Sequence, residues 1–136
     1  MSNFDLDRVI RKLRQLDRLK QKLSTVYLAP KNTWISQYTI RKHYEETDTI
    51  HYYTYAKWES VEPIFECKPK RNYATVDLNI EEKKYTRHQH IGRVSSTSGL
   101  TTELSVEIAY RELRNRRWLD RVELAISKIE SAIRQF

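Results

Sequence analysis

His88-Gln89-His90 is the stretch of this chain with the plainest capacity for chemistry. Alternate residues of a β-strand project from one face, so the two imidazoles would stand side by side, as a metal site or a catalytic base requires. A transition-metal site needs a third and a fourth ligand. The other donors are His43, His51, Cys67 and scattered carboxylates, which nothing in the linear order brings together. A polar strand or a phosphate contact is the better use of the pair, and a metal-dependent hydrolase ranks behind it. Cys67, alone between Glu66 and Lys68, reads as an ordinary small side chain. No metal or cofactor is expected, and a non-enzymatic protein is the expectation.

Composition removes several function classes. Gly92 and Gly99 are the only glycines among the 136 residues. Loops that wrap a phosphate need several glycines, so a P-loop, a dinucleotide-binding fingerprint and a kinase glycine-rich loop are excluded. A single cysteine forms no internal disulfide and no structural zinc site built on two or more cysteines. No apolar run approaches the roughly 20 residues that cross a bilayer, so no membrane partner is expected. Met1-Ser2-Asn3-Phe4-Asp5 leads into a charged stretch without a signal-peptide apolar core, which gives a cytoplasmic expectation. The size suits one domain spanning 1–136.

The net charge is +7, and residues 1–29 hold seven Lys/Arg against three acids. Cations spread around an amphipathic helix can neutralise phosphates and give salt-dependent nucleic-acid affinity. The plainer alternative is a solvated helix face. Arg8, Arg11, Arg14 and Arg18 are the candidate phosphate contacts at this end, with Arg114 and Arg117 near the other and Arg87 and Arg93 between. The planar guanidinium binds two acceptors at once, which suits phosphates and base edges. Arg111 and Arg116 have acids at helical spacing and read more simply as ion-paired.

Three elements must position these groups. Leu6, Val9, Leu13, Leu16 and Leu23 follow the steps of a helical seam, with Ile10 and Leu19 widening it, so a helix is expected over about 4–24. Ser2 and Asp5 resemble a capping box at its start. From about 33 to 94 the apolar period falls to two. Trp34, Ser36, Tyr38 and Ile40 share one face of a first strand, and Ile50, Tyr52, Thr54, Ala56 and Trp58 share one face of a second. Short strands are expected at Ile64–Lys68, Tyr73–Ile80 and Lys84–Val94, completing an antiparallel β-meander. A long helix is expected over about 102–136, with Thr101 or Thr102 as its N-cap. At 1.5 Å per residue it would run about 50 Å, so part of it would project or pack on another chain. The fold class is therefore α+β: an N-terminal helix, a small antiparallel β-meander and a long C-terminal helix.

Two surfaces follow. His51, Tyr53, Tyr55 and Lys57 face one way on the second strand, and Tyr85, Arg87, Gln89 and Arg93 lie on the last. Aromatics interleaved with cations on a sheet can stack and hold a single strand, although tyrosines of small sheets are more often half-buried core. The last helix carries a seam through Leu104, Ile108, Arg111, Asn115, Trp118, Val122, Ala125 and Ile129. Asn115 at such a position can fix register between two copies, and a homodimer through Asn115, Trp118, Val122 and Ile129 is expected.

The motifs Trp34-Ile35-x-x-Tyr38, Tyr52-Tyr53-x-Tyr55-x-Lys57 and His90-Ile91-Gly92-Arg93, set between two helices, carry a resemblance. The chain resembles uncharacterised small prokaryotic helix–β-meander–helix proteins often encoded near mobile-element recombinases. Many of these carry a cysteine cluster in the meander where this chain has only Cys67, so a metal role does not transfer. The resemblance implies the architecture and an association with DNA. Together these features lead to an expected nucleic-acid-binding protein, DNA ahead of RNA, acting as a dimeric regulatory factor. The alternative is a protein-interaction module that uses the long helix and the tyrosine face, with its charge steering the partner.

Overall fold

A computed structural model of the chain describes residues 5–67, 84–96 and 102–135. The elements run α1 (Leu6–Leu23), β1 (Thr33–Tyr44), β2 (Thr49–Ser60), β3 (Phe65–Glu66), β4 (Tyr85–Thr86), β5 (His88–Ser96) and α2 (Leu104–Arg134). This is the α+β arrangement of helix, antiparallel strands and long terminal helix. The expected strand Tyr73–Ile80 lies outside the described residues. The chain divides into two compact units, one gathering Met1–Lys31 with Arg111–Phe136 and the other Asn32–Tyr110.

In the first unit, α1 starts at Asp5, whose carboxylate accepts the Arg8 backbone N–H at 3.1 Å. Asp5 is thus itself the N-cap, satisfying one of the donors that a helix start leaves open. Ser2, expected in that role, lies outside the described residues. The helix ends where the Ser24 and Thr25 hydroxyls turn back onto the carbonyls of Lys20 and Lys22. Its apolar stripe is half-buried, and Leu113, Leu119, Val122 and Ile126 of α2 are buried in the same unit. The segment after α1 is tied to α2 through its backbone. The Ala29 N–H donates to the Glu112 carbonyl at 3.1 Å, and Arg116 Nε donates to the Ala29 carbonyl at 2.6 Å.

The buried line of α2 differs from the expected seam over its first half. Val106, Ala109 and Leu113 are buried, whereas Leu104 and Ile108 are exposed. The expected line would have carried Arg111 and Asn115 inward, and a buried guanidinium without a partner is costly. The observed line stays apolar until Arg116, which finds a carbonyl. Thr102 was an expected N-cap, but its hydroxyl donates to the Val94 carbonyl at 3.2 Å.

In the second unit, β1 and β2 form a hairpin in continuous register from Thr33↔Ser60 to Tyr44↔Thr49. Its turn closes at Asp48, which takes a left-handed conformation (φ 49°) that Asp tolerates better than most residues. The next strand in space is β5, paired antiparallel to β2, giving the order β1-β2-β5. The short β3 and β4 pair separately, Phe65↔Thr86 and Glu66↔Tyr85. Two register shifts, at Thr54/Tyr55 and Ala56/Lys57, mark extra residues in β5. One face of the sheet is covered by the start of α2. A Cβ on Gly92 would lie 3.3 Å from Val106 Cγ2 and closer still to the side chains of Ser105 and Glu103, so glycine suits this close approach.

Candidate functional site

The opposite face of this sheet is open, and strand register arranges its side chains in rows. Cross-strand pairing sets Trp34, Glu59 and His88 in one row and Ser36, Lys57 and His90 in the next. Tyr38, Tyr55 and Arg93 follow, then Ile40, Tyr53 and Ser96. Lys42 with His51 and Tyr44 with Thr49 complete the face toward the hairpin turn. Trp34, Tyr38, Ile40 and Tyr44 are all exposed.

The rings touch in an unbroken run. Tyr44 meets His51 edge-on at 5.1 Å between centroids, and the His51 and Tyr53 rings lie 6.3 Å apart at 17°. Tyr53 and Tyr55 follow at 6.5 Å and 29°. Tyr55 then lies 5.7 Å from both Tyr38 and His90. The stacked spacings reflect the two-residue repeat of a strand, and they come close to twice the ~3.4 Å rise per base of a nucleic-acid strand. Lys57 Nζ sits 5.5 Å from the Tyr38 ring centroid, within cation–π range.

Polar groups fix both ends of the run. The Tyr44 and Tyr53 hydroxyls are 3.0 Å apart. That hydrogen bond raises the Tyr53 pKa above its ordinary 10.0, with burial adding to the rise while the charges of Lys42 and Arg93 pull the other way. At the far end the Glu59 carboxylate accepts from the Ser36 hydroxyl and from Trp34 Nε1, the latter at 2.8 Å. Its other oxygen lies 3.4 Å from His88 Nδ1 and 3.5 Å from Lys57 Nζ. Those two hydrogen bonds, Ser36 first, hold the Glu59 pKa below the ordinary carboxylate value. His90 Nδ1 lies 3.5 Å from the Tyr38 hydroxyl.

The residues singled out in sequence are distributed unevenly. His51, Tyr53, Tyr55, Lys57 and Arg93 come together on the open face. Gln89, expected beside them, pairs with Trp58 and belongs to the helix-covered face. Tyr85 belongs to the β3–β4 pair, and Arg87 lies at the bend before β5, where its carbonyl accepts the Ser60 N–H. An extra residue between His90 and Gly92 breaks simple alternation, so Arg93 faces the way His88 and His90 do while Gln89 does not. Glu59, Ser36 and Trp34 were not identified as site residues, because only the register of three strands brings them to the histidines.

On the first unit, Arg8, Arg11, Lys12 and Gln15 line an open groove of about 710 Å³ with Val9 and Ile129. Arg14, Arg18, Arg114 and Arg117 are exposed. Arg116 is structural, bonded to Ala29 and 3.8 Å from Asp120. Of the residues expected at a dimer seam, Val122 is buried within the chain and Ile129 is half-buried in the groove. Asn115 donates to the Tyr27 carbonyl at 3.3 Å, and Trp118 is 55% exposed. Among the described residues there is no group of three or more His, Cys, Asp or Glu that could hold a metal ion, and no helix long and apolar enough to cross a membrane. Comparison with protein-family models, curated proteins and solved structures finds no match for this chain.

Proposed function

We propose that this protein binds single-stranded nucleic acid on the open face of the β1-β2-β5 sheet. The observation that carries the reading is the continuous run of Tyr44, His51, Tyr53, Tyr55, Tyr38 and His90 rings, opposite the helix-covered face. Tyr38, Tyr44 and His90 are exposed and His51, Tyr53 and Tyr55 half-buried, and contiguous aromatic surface of this kind suits a partner. Stacking on such rings is tolerant of sequence because every base presents a π-face. Lys42, Lys57 and Arg93 flank the run and supply phosphate contacts. Arg8, Arg11, Arg14, Arg18, Arg114 and Arg117 add the attraction of a basic chain for a polyanion.

Titration of fluorescent single- and double-stranded oligonucleotides at two salt concentrations tests the reading. Binding that favours the single strand and weakens as salt rises is expected. Preference for the duplex would move recognition to the helices, and no binding at low salt would refute it.

A second reading has its own observation. Leu104 and Ile108, 68% and 42% exposed, lie one turn apart on α2. Such a line suits a protein partner, and a complex insensitive to salt would favour it.

A further inference from the structure

The polar end of the open face holds a group of side chains that stacking does not require. Lys57 and Glu59 on β2 stand directly opposite His90 and His88 on β5, so an ammonium, a carboxylate and two imidazoles form a square. The four are accessible: the side chains of His88, Lys57 and Glu59 are 56%, 32% and 21% exposed, and His90 is exposed. Each imidazole has a partner on Nδ1. Glu59 Oε1 lies 3.4 Å from that atom of His88, and the Tyr38 hydroxyl lies 3.5 Å from that of His90. A carboxylate this close to Nδ1 favours a proton on that nitrogen, which would leave Nε2 as the basic one. The two histidines are two strand residues apart, about 6.6 Å along the backbone, a span that a phosphate group can bridge. A strand whose bases stack on Tyr55 and Tyr38 would carry its next phosphodiester to this square.

From this arrangement we infer that the face cleaves the RNA strands it binds, by transesterification at a phosphodiester held between His88 and His90. RNA carries its own nucleophile. The ribose 2′-oxygen attacks the neighbouring phosphorus while its proton passes to Nε2 of His88. The bond from phosphorus to the 5′-oxygen breaks, and that oxygen takes a proton from Nε2 of protonated His90. The products are a 2′,3′-cyclic phosphate and a 5′-hydroxyl, with no atom or electron drawn from elsewhere. Lys57 is positioned for the non-bridging phosphate oxygens, whose charge grows in the transition state. Glu59 is a positioning residue acting through His88. A DNA strand, lacking the 2′-hydroxyl, is bound and left intact.

The inference rests on the strand-binding reading, so binding and cleavage are measured separately. Purified protein is incubated in EDTA with an end-labelled RNA oligonucleotide, and affinity is measured on the 2′-O-methyl form of the same sequence, which cannot react. Cleavage to 2′,3′-cyclic phosphate ends is expected, with DNA and 2′-O-methyl strands uncut. His88→Gln and His90→Gln should each slow it about 100-fold or more, the range of a lost general base or acid. Affinity should stay within a few-fold in His88→Gln, which lies outside the ring run, and the rate of His90→Gln is compared at saturating protein because that variant also removes a ring of the binding face. A bell-shaped pH–rate profile should lose one limb in each variant. His88→Ala and His90→Ala serve as second variants, with circular dichroism confirming the fold. Equal cleavage by wild type and both variants would assign the activity to a contaminant and overturn the inference. Loss of cleavage in EDTA would overturn this chemistry. Tight binding of RNA that stays intact would overturn cleavage and leave the binding reading standing, whereas neither binding nor cleavage would remove both.

Discussion

Arg93 of β5 stands directly opposite Tyr55 of β2, although a simple alternation from His88 and His90 would turn it to the other side of the sheet. The extra residue accommodated at the Ala56/Lys57 register shift returns it to the face that carries the tyrosines. A ring for a base and a guanidinium for a phosphate thus sit side by side, and they have separable signatures. Arg93→Ala should weaken single-strand binding and reduce the slope of log affinity against log salt by about 0.7, the value for one phosphate contact on a single strand. Tyr55→Ala should weaken binding by about 1–3 kcal/mol, the worth of one stacked base, and leave that slope unchanged. Salt-dependent titrations of both variants check the pair.

The arginines of α2 should divide in the same way. Arg116 donates to the carbonyl of Ala29, a residue with no exposed surface. Arg116→Ala should therefore cost about 1–3 kcal/mol of stability through a carbonyl left with a lost partner. Charge reversal at the exposed Arg114 and Arg117 should instead weaken nucleic-acid binding and flatten its salt dependence without lowering the urea midpoint. Urea denaturation and oligonucleotide titration on the same preparations distinguish the two classes.

At Gly92 the start of α2 lies close against the sheet. Gly92→Ala would bring a methyl group against the side chains of Ser105, Glu103 and Val106, which must turn aside or move to admit it. A loss of about 1–3 kcal/mol is expected, as for other overpacked contacts. A lower urea midpoint with an unchanged m-value would report it.

Much of this fold is legible in the sequence because its signals are local. The apolar steps from Leu6 to Leu23 define α1, and the alternation on either side of Glu45–Thr49 defines the hairpin. What escapes is non-local. The partner of β2 is β5, not its sequence neighbour β3, and nothing in either strand alone states that choice. The bulges in β5 shift which residues face which way, so a period-two reading groups Arg93 with Gln89 although the two lie on opposite faces. In α2 two apolar lines compete, and the cost of burying Arg111 decides between them. Glu59 became visible as a site residue only when both of its neighbouring strands were in register.

The acid limb of stability should depend on Glu59. Its pKa is lowered from 4.5 by the hydrogen bonds from Ser36 and Trp34, so the folded state favours the ionised form. The associated stabilisation is complete above the unfolded value and is lost as pH falls through the lower folded value. Glu59→Gln should therefore show a shallower loss of stability with falling pH below about 4.5 than the wild type. Urea midpoints across the acid range check this, and parallel curves for the two proteins would remove Glu59 from the account.

Photo-cross-linking of a single-stranded oligonucleotide carrying 5-bromouracil, with mass-spectrometric mapping of the adducts, tests the open face most directly. Adducts at Tyr38, Tyr53 or Tyr55 are expected, suppressed by unlabelled single strand and absent in the Tyr53→Ala/Tyr55→Ala double variant. Adducts confined to α1 and α2, with the tyrosines unmodified, would contradict recognition by the sheet.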